Sequence, residues 1–258
     1  DRSKNYGYLQ VASNLGYIGG PAVAGILATT MLGEKLPVGL AVVVAVLASF
    51  FIAFYLPESH KKLQEKESKK PKLSEAIKQP VIVYLLVMYF LLYIGYNIYY
   101  TAFPLNTINT LHWSVGKLGI YFSILSLMMV IVQGPVLSKI SKLFSEHILI
   151  LAGTFFLGIN FLLIITQQDI QIYLASAFFA LGNGLMWPSL LSVISKNAGA
   201  YQGTIQGFSG SLAGLASIVG LIGGGLLFNH FSGNTFYVSA GLFFFVVLMS
   251  LKLFTIKK

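Results

Sequence analysis

The sequence predicts an all-α membrane protein with eight transmembrane helices and both termini in the cytoplasm. Three observations carry this prediction: apolar runs of membrane-spanning length, an almost complete lack of charge within them, and a one-sided placement of the lysines between them. Of the 258 residues, 56% are hydrophobic and 10% charged, whereas soluble domains carry about 25% charged residues. A bilayer core about 30 Å thick takes about 20 apolar residues per helix. Eight runs meet that length within a few residues: 8–32, 36–56, 81–103, 115–137, 148–166, 170–194, 204–228 and 236–254. They are too long for barrel strands and lack strand alternation.

With the N-terminus inside and the sides alternating, fifteen basic residues fall in the cytoplasm: Arg2, Lys4, Lys61, Lys62, Lys66, Lys69, Lys70, Lys72, Lys78, Lys139, Lys142, Lys196, Lys252, Lys257 and Lys258. Only Lys35 and Lys117 fall outside. This positive-inside bias supports both the count and the orientation, since one missed helix would scramble the alternation. The net charge of +9 therefore points to membrane topology and not to a nucleic-acid partner. Between the second and third runs, residues 58–79 carry seven lysines and four glutamates. They read as a cytoplasmic linker, dividing the chain into residues 1–57, the linker 58–80, and residues 81–258. With no cysteine, disulfides and thiolate metal sites are excluded. The four histidines, His60, His112, His147 and His230, are expected in connections, none at metal-ligand spacing. No metal and no cofactor are expected.

The first and seventh runs look alike. Gly7-Tyr8-Leu9-Gln10 recurs as Gly203-Thr204-Ile205-Gln206, and Gly20 to Leu27 is echoed by Gly220 to Leu227. A repeat spaced by six helices is what a transporter of two related halves gives. On that pattern the first half holds only its last two helices here, and four more are expected upstream of Asp1.

These residues carry a family resemblance. Gly16-x-x-x-Gly20-Pro21-x-x-Ala24-Gly25 resembles the antiporter motif in the fifth helix of the major facilitator superfamily, with Ala24 in place of one glycine. Leu56-Pro57-Glu58-Ser59 is similar to the end of that family's sixth helix. His112-Trp113-Ser114, Gln133-Gly134-Pro135 and Gln202-Gly203-x-x-Gln206-Gly207 resemble the tetracycline-efflux branch of its drug:proton antiporters. The resemblance covers essentially the whole chain and implies a partial major facilitator fold comprising helices five to twelve. The family's basic loop signature survives only as Gly134 to Lys142, with Ser138 where a carboxylate would close a gating ion pair.

No Asp, Glu or Arg falls within the eight runs, and Lys117 and Lys252 sit near run ends, where they can snorkel to the interface. Intramembrane charge is the default mark of a proton relay, so a coupling group is expected upstream of this chain. Gly16, Gly20, Pro21 and Gly25 are the expected gate. Gly203/Gly207, Gly210/Gly214 and Gly220/Gly224 form Gly-x-x-x-Gly pairs that suit close helix packing. Polar stripes mark a substrate path. Tyr89, Tyr93, Tyr96 and Tyr100 share one face of the third run, with Asn97 beside them. Ser126 and Gln133 face alike on the fourth run, Asn160 sits mid-span on the fifth, and Ser176, Asn183 and Trp187 line the sixth. Such groups either bond between helices or wall a cavity. An aromatic wall with scattered amides suits a flat, amphipathic or cationic organic molecule.

The function the resemblance implies is proton-coupled efflux of small organic compounds by alternating access. The protein would be a multi-pass protein of the cytoplasmic membrane, monomeric when full length. Two other readings remain at this stage: a sugar or organic-acid symporter or facilitator of the same superfamily, and a non-transporting remnant or assembly subunit. An enzyme is not expected, since the runs hold no nucleophile–base pair, metal cluster or phosphate loop.

Overall fold

The computed structural model describes residues 35–55 and 79–254, together with Tyr8, Val11, Ala12, Leu15, Gly16, Gly20, Val23 and Leu27. The chain divides into two compact units, one of Gly16–Lys70 and one of Asp1–Leu15 with Pro71–Lys258. In the smaller unit, helix α1 (Lys35–Tyr55) has no buried residue. Valines and phenylalanines cover it on all sides, the character of a helix surrounded by lipid rather than water. Its one side-chain hydrogen bond among the described residues runs from Ser49 Oγ back to Ala45 O, 2.9 Å away.

The larger unit is a helix bundle. Helix α2 (Pro80–Asn109) begins with a proline in its first turn, where the missing N–H costs nothing. Helix α3 (Val115–Ile131) is capped by Ser114, whose side chain accepts from Lys117 N. It widens into a π-helical turn at Val132–Val136 and closes with an α turn at Leu137–Ile140. Pro135 supplies the disturbance here, because it lacks an N–H and its ring would clash with the carbonyl one turn back in a regular α-helix. Helices α4 (Glu146–Ile165), α5 (Asp169–Ala198), α6 (Gln202–Phe231) and α7 (Thr235–Lys252) follow, joined by 3-10 turns at Gly199–Tyr201 and Ser232–Asn234.

Among the described residues, five helical stretches are long and apolar enough to cross a membrane. The last, Asp169–Lys252, contains α5, α6 and α7. The third and sixth runs extend beyond their sequence limits, to Asn109 and Ala198. Pro104 does not end α2 and Pro188 does not end α5. Two histidines depart from expectation: His147 lies in the first turn of α4 and His230 in the last turn of α6. Apolar windows of bilayer length stop at a polar residue, whereas the helix continues as long as its backbone bonds are satisfied.

Helices α4 and α5 pack along most of their length, α2 lies against α6, and α7 covers both α4 and α2. Small residues allow the two tightest approaches. A Cβ on Gly153 would stand 2.7 Å from Gly182 O, and one on Gly182 would stand 2.7 Å from Gly153 O. Likewise a Cβ on Gly220 would meet Ile94 O at 2.7 Å, and one on Gly224 would meet the Cα of Ile98 at 2.9 Å. In lipid the hydrophobic effect does not drive helices together, and such close approach gains dispersion instead.

Candidate functional site

The tyrosine face of α2 meets Trp187 of α5. The Trp187 ring lies 5.4 Å from Tyr89, 4.8 Å from Tyr93 and 5.5 Å from Tyr96, centroid to centroid. Phe179 of α5 and Phe243 of α7 each present an edge to Tyr96 at 5.5 Å. The spacing of 4, 3 and 4 residues along α2 places these rings on one side, and Trp187 enters from the neighbouring helix. Tyr96 is 4% exposed, and its buried hydroxyl lies beside the side chains of Trp187 and Asn183. Tyr100 continues the face, stacked 6.4 Å from Tyr96, but is 45% exposed.

The amides divide into ties and lining. Gln133, on the π-helical turn of α3, donates from Nε2 to Asn183 Oδ1 of α5 at 3.2 Å, and both residues are buried. Asn97 donates to Tyr93 O at 2.8 Å and to Ser217 Oγ of α6 at 3.1 Å, linking α2 to α6. Asn160 is fully buried, and with its amide turned so that the nitrogen faces α5 it donates to Ala175 O at 2.9 Å. Ser126 is buried on α3, and Ser176 donates to Tyr173 O within its own helix. Tyr93, Tyr96, Asn183, Trp187 and Gln133 thus lie on facing elements, and Asn97 and Asn160 bond between helices.

The glycines separate in the same way. Gly220 and Gly224 are buried against α2. At Gly203, Gly207, Gly210 and Gly214 no atom of the described residues lies within 4 Å of where a Cβ would stand. Of the motif in the first run, Gly16 and Gly20 are helical and exposed. Pro21 and Gly25 lie outside the described residues.

Three features were not anticipated. A cavity of about 270 Å³ opens between α2, α5 and α6, lined by Tyr89, Ser195, Gln202, Gln206, Ser209 and Gly210 among others. Tyr89 belongs to both this cavity and the Trp187 cluster. Second, Asp169 at the start of α5 accepts from Trp113 Nε1 at 2.8 Å and from Lys117 Nζ. The Lys117 ammonium lies 4.4 Å from the Trp113 ring centroid. Its hydrogen bond holds the Asp169 carboxyl below its ordinary pKa. Third, Glu146 of α4 accepts from Ser192 Oγ and from Lys196 Nζ of α5. Part of the signal was in the sequence: Lys117 and Asp169 fall at run ends on the expected outer side, and Glu146 and Lys196 at run ends on the expected cytoplasmic side. Among the described residues no group of three metal-ligating side chains occurs. The aromatic cluster itself carries neither cation nor carboxylate, so what it offers a guest is stacking, shape and a few amide bonds.

Comparison with known proteins places this geometry. The chain is 26% identical over 241 residues to multidrug resistance protein 2 of Bacillus subtilis, covering 89% of this chain and 59% of that protein. It is 24% identical over 243 residues to the quinolone resistance protein NorA of Staphylococcus aureus, covering 93% of this chain and 62% of NorA. The chain thus spans about three-fifths of the length of these relatives. Its fold is shared with the human organic anion transporter MFSD10 (TETRAN), with a TM-score of 0.80 and 22% identity, over 96% of this chain and 63% of that one. The Major Facilitator Superfamily model matches twice, over residues 1–208 and 85–258. The fold is all-α, the helices are apolar and of membrane-spanning length, and the match covers the whole chain: it is a multi-pass protein of the cytoplasmic membrane and belongs to the Major Facilitator Superfamily of transporters.

Proposed function

We propose that this chain forms helices five to twelve of a secondary transporter that exports small organic compounds by alternating access, with protons as the coupling ion. The observation that carries the proposal is the uncharged aromatic cluster of Tyr89, Tyr93, Tyr96 and Trp187. Such a cluster holds flat, amphipathic molecules of varied outline by stacking and cation–π contact. The names of the bacterial relatives, multidrug and quinolone resistance proteins, support the same reading. Tetracycline-like compounds, suggested by the likeness at His112-Trp113-Ser114, are one substrate class to test.

In this reading the eight helices place both termini in the cytoplasm. Residues 1–57 are the end of the first half, 58–80 the linker and 81–258 the second half. The double match of the family model, over 1–208 and 85–258, fits two related halves. Gly16, Gly20, Pro21 and Gly25 form the gate that closes one side as the halves rock about a midplane cavity. Tyr93, Tyr96, Asn97, Tyr100, Ser126, Gln133, Asn160, Asn183 and Trp187 line or brace that cavity.

The test uses everted membrane vesicles from cells expressing the complete reading frame. An imposed proton gradient should drive accumulation of a fluorescent planar aromatic compound, and a protonophore should abolish it. Accumulation that follows the compound's own gradient alone, untouched by the protonophore, points to a facilitator. A complete lack of transport across a panel of aromatic compounds overturns the efflux reading.

A further inference from the structure

The cavity between α2, α5 and α6 lies outside the aromatic cluster and has its own chemistry. Helices α5 and α6 are joined by only three residues, Gly199–Tyr201, yet touch each other little beyond that turn. The reason is that α6 is held against α2 at Gly220 and Gly224, two-thirds of the way along its length. The first turns of α6 therefore fork away from the last turns of α5, and the space in the fork is about 270 Å³. That is close to the lower limit of small-molecule pockets, about 300 Å³. Its apolar lining is Leu191 and Ile194 of α5 and Ile205 of α6. Its polar lining is Ser195 of α5 with Gln202 and Gln206 of α6. Gln202 is partly committed, since its Nε2 donates to Ser195 O at 3.1 Å. Gln206 is exposed, so its amide can both donate to and accept from a guest. At Gly210 no atom of the described residues lies within 4 Å of a would-be Cβ, which leaves room for a flat molecule against the backbone. Among the described residues, no charged side chain lines the cavity.

We propose that this fork is an access subsite for substrate at the cytoplasmic end of the bundle. It takes an uncharged, planar aromatic group of one or two rings bearing amide-like donors and acceptors. Tyr89 passes the group on, because its ring forms part of the cavity wall and also touches Trp187 of the midplane cluster. The inference rests on the efflux reading above, which supplies the substrate and the cytoplasmic side. It adds a second, more selective station: the cluster selects by stacking, and the fork selects by neutral hydrogen bonding and size.

The chain contains no cysteine, so a single introduced cysteine is a unique label within it. Ser195→Cys places a thiol in the cavity, and Ser211→Cys places one on the exposed face of α6. In everted vesicles, a neutral aromatic amide should slow maleimide labelling at position 195 at least threefold and leave position 211 unchanged. Equal labelling at both positions with and without the compound overturns the subsite. Should Ser195→Cys fail to insert, Leu191→Cys reads the same cavity. In transport, Gln206→Ala should raise the KM for a neutral aromatic amide about tenfold, the loss of one hydrogen bond to the guest. The KM for a hydrophobic cation of similar size should change less than twofold. A uniform rise for both compounds, or none for either, overturns the subsite, while wild-type vesicles that transport neither compound overturn the efflux reading instead.

Discussion

Trp187 touches three tyrosines of another helix, and that makes it the residue on which the site turns. Replacing it with alanine removes a large ring from a packed position, which in protein cores costs about 3–5 kcal/mol. Trp187→Phe keeps a ring and is the sharper probe. Asn97 is a different case, because its amide already bonds Tyr93 O and Ser217 Oγ. Hydrogen bonds between membrane helices are worth about 0.6 kcal/mol on average, so Asn97→Ala should change thermal stability little. The prediction at this scale compares substrates: Trp187→Phe and Tyr96→Ala should shift apparent affinity among aromatic compounds by different factors, read as transport KM in vesicles. An identical factor for every compound would show that these rings only brace the helices. The tyrosine face was legible in the spacing along 89–100. That Trp187 would meet it was not, since a stripe on one helix says nothing of which neighbour it faces.

Helix pairs in this bundle are set by glycines that meet backbone. Gly153 and Gly182 each occupy a place where a Cβ would approach the other's carbonyl oxygen at 2.7 Å. Gly220 does the same against Ile94 O. Neither oxygen can swing away as a side chain would, so even Gly182→Ala forces α4 from α5. The corresponding prediction is a graded series: Gly182→Ala and Gly220→Ala should each lower the melting temperature of the detergent-purified protein by several degrees, while Gly207→Ala, with open space at its Cβ, should not. A Gly220→Ala variant as stable as the wild type would show that α2 and α6 part without cost. The sequence marked Gly220 and Gly224 through their four-residue spacing. It did not mark Gly153 and Gly182, which lie on different helices and share no local pattern. The π-helical turn at Val132–Val136 was hidden for a related reason: Gln133-Gly134-Pro135 signals a disturbed helix, but packing decides whether the disturbance becomes a kink or a widened turn.

At the scale of the molecule, each face of the membrane carries a clasp between neighbouring helices. Asp169 joins the starts of α5 and α3 on one face, and Glu146 joins α4 to the end of α5 on the other. The Asp169 pair is substantially exposed, with side chains 35% and 53% accessible, so it is worth at most about 1 kcal/mol. Because the folded carboxyl titrates below its ordinary value, the clasp is fully present above that ordinary value. It is lost only as pH falls through the depressed one. Asp169→Asn should therefore speed hydrogen exchange at the first turns of α3 and α5 at pH 7, and wild-type exchange there, corrected for its intrinsic pH dependence, should stay constant from pH 7 to pH 5.5. A corrected rate that rises over that interval in the wild type contradicts the assignment. The lysine distribution gives a separate prediction for topology: single cysteines at Ser68 and Asn229 should label from opposite faces, cytoplasmic and outer, and labelling of both from one face would rule out eight spans.

What the sequence determined by itself was everything that depends on transfer into lipid. Run length, the exclusion of charge and the bias of lysines are properties of each segment against the bilayer, and they need no partner to be read. They gave the membrane class, the approximate limits of the helices and, through Gly16 to Gly25, the family. The tertiary structure decided what depends on pairs of segments: the meeting of Trp187 with Tyr89, Tyr93 and Tyr96, the Gly153–Gly182 contact, the clasps at Asp169 and Glu146, and the fork between α5 and α6. Lipid and helix interior are equally apolar, so hydropathy cannot say which face of a helix turns inward. That choice falls to shape and to a handful of hydrogen bonds, which exist only once two helices are side by side.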